Sequence, residues 1–215
     1  MKYSKIFVIG FNKTASTTLH KLFRTNDLKS QHATDWDLSN YDCFSDNGNL
    51  HDFKQLNNLY KDAIFILNTR NLTNWLISRF KHGHRQSERL NRNKNWAYPC
   101  TSELASQWIN DRELYYSQVL EYFKDIPDKL IILSIEDPNW KQFISDELGI
   151  HNNDFKNRNV IEINDTDCYN RMVNCVNEAF TKLNCTNEQQ QHTRLFISDE
   201  QTNQYLGIYK NNFHH

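Results

Sequence analysis

Apolar residues along this chain fall into two alternating rhythms. Short uninterrupted runs, IFVIGF (Ile6 to Phe11), AIFIL (Ala63 to Leu67) and KLIILSI (Lys129 to Ile135), have the pattern of strands buried on both faces of a parallel sheet. CFSD (Cys43 to Asp46) is a weaker run of the same kind. Between these runs apolar residues recur three or four apart, as on one face of a helix. The sets are Leu19, Leu22 and Phe23; then Leu50, Phe53, Leu56, Leu59 and Tyr60; then Leu72, Trp75, Leu76 and Arg79. A long helix is expected from about Ser102 to Lys124, an amphipathic one over WKQFISDELGI closed by Gly149, and a last one from Asp167 to Leu183. HGHRQSERLNRNKN, between Lys81 and Asn95, is polar, basic and aperiodic, and reads as a long loop. Strand and helix in alternation, with apolar strands, predict a three-layer α/β fold with a mostly parallel central sheet flanked by helices. No repeat and no proline- or glycine-rich linker interrupts the pattern. One domain over residues 1–215 is expected, with a motif-bearing core at about 5–150 and a C-terminal helical part at about 151–215.

Charge and cysteines remove several function classes. The formal net charge is -1, so no global field favours nucleic acid or a membrane surface, and an anion site must be built locally. Apolar runs of about five or six residues are too short for a membrane span or a signal-peptide core. The five cysteines (Cys43, Cys100, Cys168, Cys175, Cys185) contain no CxxC pair and read as reduced thiols, so a cytoplasmic protein is expected. No metal-ligand spacing stands out, and His82 and His84 lack further ligands nearby in sequence. The terminal His214 and His215 are given no function.

Candidate chemistry begins after the first run, at GFNKTASTTL (Gly10 to Leu19). A helix N-terminus presents unpaired N–H groups and a partial positive charge, which together attract anions. Lys13 adds a full charge, Thr14, Ser16, Thr17 and Thr18 add hydroxyls, and small Ala15 lets the backbone approach a ligand. A capped helix that merely follows a strand, with Ser16 or Thr17 as N-cap, accounts for the same residues. The stretch departs from GxxxxGK[ST]: only two residues separate Gly10 from Lys13 and the second glycine is missing. A kinase using ATP and magnesium is disfavoured on that ground and stays open as an alternative, with Glu136 and Asp137 as the acidic residues available.

The second stretch is AIFILNTRNLTNWLISRF, with Arg70 at the end of a strand and Ser78 two turns into the next helix. A guanidinium at a sheet edge can grip a phosphate with two parallel hydrogen bonds. Taken singly, Arg70 reads more readily as a helix-flanking surface charge and Ser78 as filler.

Together the two stretches resemble the sulfotransferases that use 3'-phosphoadenosine 5'-phosphosulfate (PAPS). In that family a K-[ST]-G-T-[TS] loop follows the first strand, and a strand-R-x7-S motif comes later. Here KTASTT follows the first strand, and RNLTNWLIS has the seven intervening residues. SQHATDW, FSDNG and KLIILSIEDPNWKQFISDELGI follow the order of the family's short branch, with the likeness covering roughly residues 5 to 150. The resemblance implies metal-independent in-line transfer of a sulfuryl group to a hydroxyl or amine, with PAPS as cofactor. It implies that Lys13 meets the bridging oxygen of the phosphosulfate, that residues Thr14 to Thr18 hold the 5'-phosphate, and that Arg70 and Ser78 hold the 3'-phosphate. It places a general base in the FSDNG slot, which points to Asp46, with His51 and His32 as alternatives; an Asp in such a turn can equally cap the next helix. Ala15 stands where the family's loop has glycine, and Gly48 where its Asp-x-Pro stretch has proline. Lys156 and Arg158 are the candidates for its late basic loop. A catalytically inactive nucleotide-binding protein is the remaining alternative. The expected partner is a small-molecule or carbohydrate acceptor, anionic ones included through Arg85, Arg89, Arg92 and Lys94. Trp96, Tyr98, Trp108, Tyr115 and Tyr116 are available to line its pocket, although the last three lie at helical spacing and fit a core.

Overall fold

The computed structural model describes residues 2–89, 99–151 and 163–186, with backbone alone for 87–89. These residues group into two compact units. One comprises residues 2–69 and 115–151, the other residues 70–89, 99–114 and 163–186.

The first unit is built on a five-stranded, all-parallel sheet in the order β2-β3-β1-β4-β5. The strands are β1 (Ile6–Val8), β2 (Ser30–His32), β3 (Cys43–Ser45), β4 (Ile64–Thr69) and β5 (Leu130–Ser134). Side chains alternate across a strand, and the sequence uses both faces. Ile6, Val8, Cys43, Ile64, Ile66, Ile131 and Leu133 share one core with α1 (Ser16–Thr25) and α5 (Trp140–Leu148). Leu19, Leu22 and Phe23 of α1 and Trp140, Ile144 and Leu148 of α5 supply the helix side. On the other face Phe7 lies between Phe44 and Phe65, at ring-centroid distances of 5.2 and 5.4 Å. Phe65 meets Phe123 at 5.0 Å, and Phe53 of α2 (Phe53–Leu59) meets Tyr122 at 5.5 Å. Tyr122 and Phe123 belong to the end of α4 (Ser102–Phe123) that lies in this unit. A fully buried aromatic of this kind contributes about 1.5–3 kcal/mol, so the alternation explains the three layers.

This topology positions the site. β1 and β3 are neighbours, yet the helix after β1 packs on one face and the helix after β3 on the other. Chains leaving adjacent strands toward opposite faces open a crevice beyond the strands' C-terminal ends.

The second unit contains α3 (Leu72–Arg89), the start of α4 and α6 (Thr166–Lys182). Leu72, Trp75, Leu76 and Phe80 are buried, as are Trp108, Met172, Val176 and Phe180. The Arg79 guanidinium lies over Trp108 at 4.1 Å and over Trp75 at 5.1 Å. Asp165 caps α6 by accepting from the Cys168 amide at 3.0 Å.

Four local expectations are corrected. β2 (SQH) is absent from the apolar pattern because it is a partly exposed edge strand with one neighbour. Leu50 and Leu59 are 66% and 61% exposed, not on a buried face: Asp52 caps α2 and so starts it after Leu50, and Leu59 is the last residue of this short helix, whose buried positions are Phe53, Leu56 and Asn57. Residues 81–89 of the expected loop continue α3. Lys, Arg, Gln and Glu are good helix formers, and among the described side chains past Phe80 only Gly83 is buried, so no apolar stripe marks the segment. Finally, neither Ser16 nor Thr17 caps α1; Ala15 occupies that position.

Arg92, Lys94, Trp96, Tyr98, Lys156, Arg158, His214 and His215 lie outside the described residues, as does the side chain of Arg89. Trp108 and Tyr116 are core residues, and Tyr115 donates its hydroxyl to the Ile9 carbonyl at 2.9 Å. Among the described residues no three His, Cys, Asp or Glu side chains are grouped to hold a metal, and no helix is long and apolar enough to cross a membrane.

Candidate active site

The turn from β1 into α1 is an open loop with a helix N-terminus at its end. Ile9 still pairs with β4, donating to the Ile66 carbonyl at 2.9 Å. From Gly10 onward the loop hangs on one side chain. Asn68 Oδ1 accepts from the Gly10 amide at 2.9 Å, and Asn68 Nδ2 donates to the Thr14 carbonyl at 2.7 Å and to Thr14 Oγ1 at 2.5 Å. The Thr14 hydroxyl in turn donates to the Phe11 carbonyl. A Cβ on Gly10 would stand 2.2 Å from the Asn68 carbonyl oxygen, so only glycine fits there.

Lys13 and Ala15 both adopt the left-handed region, each with φ of 67°. The helix therefore begins at Ser16 without a side-chain cap. Among the described residues the amides of Ser16 and Thr17 donate to no protein acceptor; Thr18 and Leu19 already bond to the Ala15 carbonyl. Ser16 is buried, Thr18 half-buried and Thr17 exposed. An uncapped helix start beside a lysine is an anion cradle in its chemistry.

β2 and β3 bring two candidate bases to the same end of the sheet. His32 closes β2 in register with Ser45. Its Nδ1 lies 3.1 Å from Ser45 Oγ, and its Nε2 lies 3.1 Å from Thr17 Oγ1, at the start of α1. Ser45 Oγ donates to the Gln31 carbonyl at 3.4 Å, which assigns the proton to His32 Nδ1 and leaves a lone pair on Nε2. Burial is the main cause holding His32 below its ordinary pKa; the Lys13 charge acts in the same direction and the Asp46 charge opposes it. His32 is thus a neutral imidazole at neutral pH, within the fields of both Lys13 and Asp46.

Asp46 follows β3 at φ 81°, and Asn47 is also left-handed at 49°. The next residue is wedged against β1: a Cβ on Gly48 would stand 2.1 Å from the Val8 carbonyl oxygen. The cap of α2 belongs to Asp52, which accepts from Lys54 at 2.9 Å and Gln55 at 3.1 Å. Among the described residues no hydrogen bond engages the Asp46 carboxylate. A strained, half-buried carboxylate without a capping role has the character of a functional residue. His51 is placed differently: it stacks on Trp36 at 3.7 Å and donates from Nε2 to the Thr34 carbonyl at 2.8 Å.

Lys13, Thr14 to Thr18, His32 and Asp46 therefore belong to one unit, at one end of its sheet. Arg70 and Ser78 belong to the other unit. Arg70 immediately follows β4, and its carbonyl accepts from the buried Arg112 guanidinium at 2.6 Å. Ser78 is half-buried on α3, two turns past Leu72. Sequence reasoning missed Asn68, although a lone Asn directly after an apolar run, two residues before Arg70, was a usable signal.

A search of curated proteins found no match to this chain. The family model described as "Sulfotransferase domain" matches residues 8–149, about two thirds of the chain. That span begins at the last residue of β1 and ends just after α5, so it contains β2 to β5, the Lys13 loop, the His32 and Asp46 positions and the Arg70 stretch. An all-parallel sheet flanked by helices, with a lysine-bearing turn and an uncapped helix start after its central strand, agrees with that match, and the chain belongs to the sulfotransferase domain family.

Proposed function

We propose that this protein transfers a sulfuryl group from PAPS to a hydroxyl or amine of a small-molecule or carbohydrate acceptor. The observation that carries the reading is the loop itself: Lys13 in a left-handed turn, next to an uncapped helix start, behind a glycine that admits no side chain. When bound, PAPS supplies an activated sulfuryl group on a phosphate leaving group. The amides of Ser16 and Thr17 and the hydroxyls of Ser16, Thr17 and Thr18 hold the 5'-phosphate; the expected Thr14 hydroxyl is instead buried and given to the Phe11 carbonyl, so Thr14 shapes the loop from within. Lys13 neutralises the charge that grows on the bridging oxygen as the sulfur–oxygen bond breaks. The acceptor oxygen forms the new bond to sulfur and gives its proton to a protein base. Asp46 is the proposed base; the Nε2 lone pair of His32 supports a second assignment. The R-x7-S spacing supports Arg70 and Ser78 as ligands of the 3'-phosphate. The basic run from Arg85 to Lys94 supports an anionic acceptor, and cysteine usage supports a reducing, cytoplasmic setting.

The test is a thermal-shift titration with adenosine 3',5'-bisphosphate against ADP plus magnesium, because a ligand of the folded state raises the melting temperature. The bisphosphate alone is expected to stabilise, and Arg70→Ala to lose much of the shift. Stabilisation by ADP plus magnesium only would replace the reading with a kinase. An unchanged shift in Arg70→Ala would move the 3'-phosphate site elsewhere.

A further inference from the structure

We propose that Asn68 is a positioning residue of the anion cradle, holding the Gly10–Thr14 loop in its binding shape before any ligand arrives. The inference rests on the reading that this loop receives the 5'-phosphate of the donor. β1 and β4 pair Ile6 with Ile64 and Val8 with Ile66, so the same register carried two residues further sets Asn68 beside Gly10. Asn68 is fully buried, an unusual place for a carboxamide directly after the Ile, Phe, Ile and Leu of the same strand. Its two ends reach opposite ends of the loop: the oxygen takes the Gly10 amide and the nitrogen reaches Thr14. Only a carboxamide of this length accepts at one end and donates at the other without adding charge. Its own carbonyl is held by the Tyr116 hydroxyl at 3.1 Å, from a side chain that is itself fully buried.

Such a clamp has a purpose. Lys13 and Ala15 each occupy a backbone region that is sterically strained for an L-residue, so a loop left alone would relax away from it. Fixing Gly10 to Thr14 fixes the ends of the segment that carries Lys13 and leads into Ala15. The amides at the start of α1 are then presented with no reorganisation left for the ligand to drive.

Asn68→Asp separates this role from general stability. At pH 8 a carboxylate still accepts from Gly10 but no longer donates to Thr14, and it places a negative charge behind the cradle. Near pH 6 a buried carboxyl takes up a proton and regains a donor. The first measurement is hydrogen–deuterium exchange of the ligand-free protein. Peptides covering residues 10–18 are expected to lose protection in Asn68→Asp at pH 8, while those covering β5 keep it. The second is calorimetric titration with adenosine 3',5'-bisphosphate, wild type and variant compared at each pH. The dissociation constant should rise at least about tenfold at pH 8, and the ratio to wild type should shrink toward pH 6. Asn68→Ala, which adds no charge, should weaken binding at both pH values and carries both measurements if the Asp variant does not fold. Unchanged loop exchange in a folded variant overturns the clamp. So does an unchanged affinity ratio together with a lowered melting temperature, since that is a structural residue only. If wild type does not bind the bisphosphate, the donor reading fails by itself, and the exchange measurement still decides the clamp.

Discussion

Ala15 stands at φ 67° and ψ 23°, where glycine is at ease and alanine is not. Relieving that strain is worth roughly 1–2 kcal/mol, offset in part by the greater freedom of glycine in the unfolded chain. Ala15→Gly should therefore stabilise the protein by about 0.5–1 kcal/mol, read as a higher urea midpoint at unchanged slope. A lowered midpoint would mean that the Ala15 methyl makes packing contacts that outweigh the strain. Asp46 carries a second residue-scale prediction. If its carboxylate is the base, Asp46→Asn should cut kcat by about 10²–10⁴ while leaving donor affinity in place, and His32→Asn should keep most turnover. The reverse pattern, with an acidic limb that starts below pH 6.5 and disappears in the His32 variant, would transfer the role to His32.

At the scale of elements, α1 and β2 are joined by a pair of histidines. His20 and His32 stack at 5.5 Å, and His20 Nδ1 lies 2.9 Å from Ser30 Oγ. Burial lowers the pKa of both, helped at His20 by His32 and Arg24 and at His32 by Lys13; burial also lowers that of His51. A folded-state value below 6.5 means that the unfolded chain binds more protons in the window beneath 6.5. Stability is then full above that value and declines as pH falls through the lowered ones. Urea midpoints should fall as pH drops from about 7 to about 5, and His20→Gln should flatten the decline. Equal declines in the two proteins would place the acid sensitivity in other groups.

Over the whole molecule, ligand and fold are linked. A donor product present at a hundred times its dissociation constant adds about 2.7 kcal/mol, a shift of several degrees for a chain of this size. The bisphosphate titration therefore reads the proposed function through the stability of the entire protein. Much of the architecture behind it was legible from hydrophobic rhythm. Three strong runs and CFSD became four of the five strands, because strands packed on both faces are apolar along most of their length. The edge strand β2 escaped, being half solvated and only three residues long. The second half of α3 escaped because Gly83 is the single buried position among its described side chains, too faint a stripe to read. The Lys13 loop stood out in the chain because lysine and hydroxyls after a buried strand form a local signal. His32 and Asp46 were both named from the chain, but their sharing of one electrostatic field was not.

The sequence by itself determined the sheet-forming runs, the helices between them and the Lys13 loop, since each depends on residues close together in the chain. Tertiary structure decided what depends on register between distant strands. It set Asn68 beside Gly10 across 58 residues, put His32 against Thr17 and Ser45, and transferred the cap of α2 from Asp46 to Asp52. Hydrogen bonds and charges act over a few ångströms in space, and only the folded sheet fixes which groups lie that close.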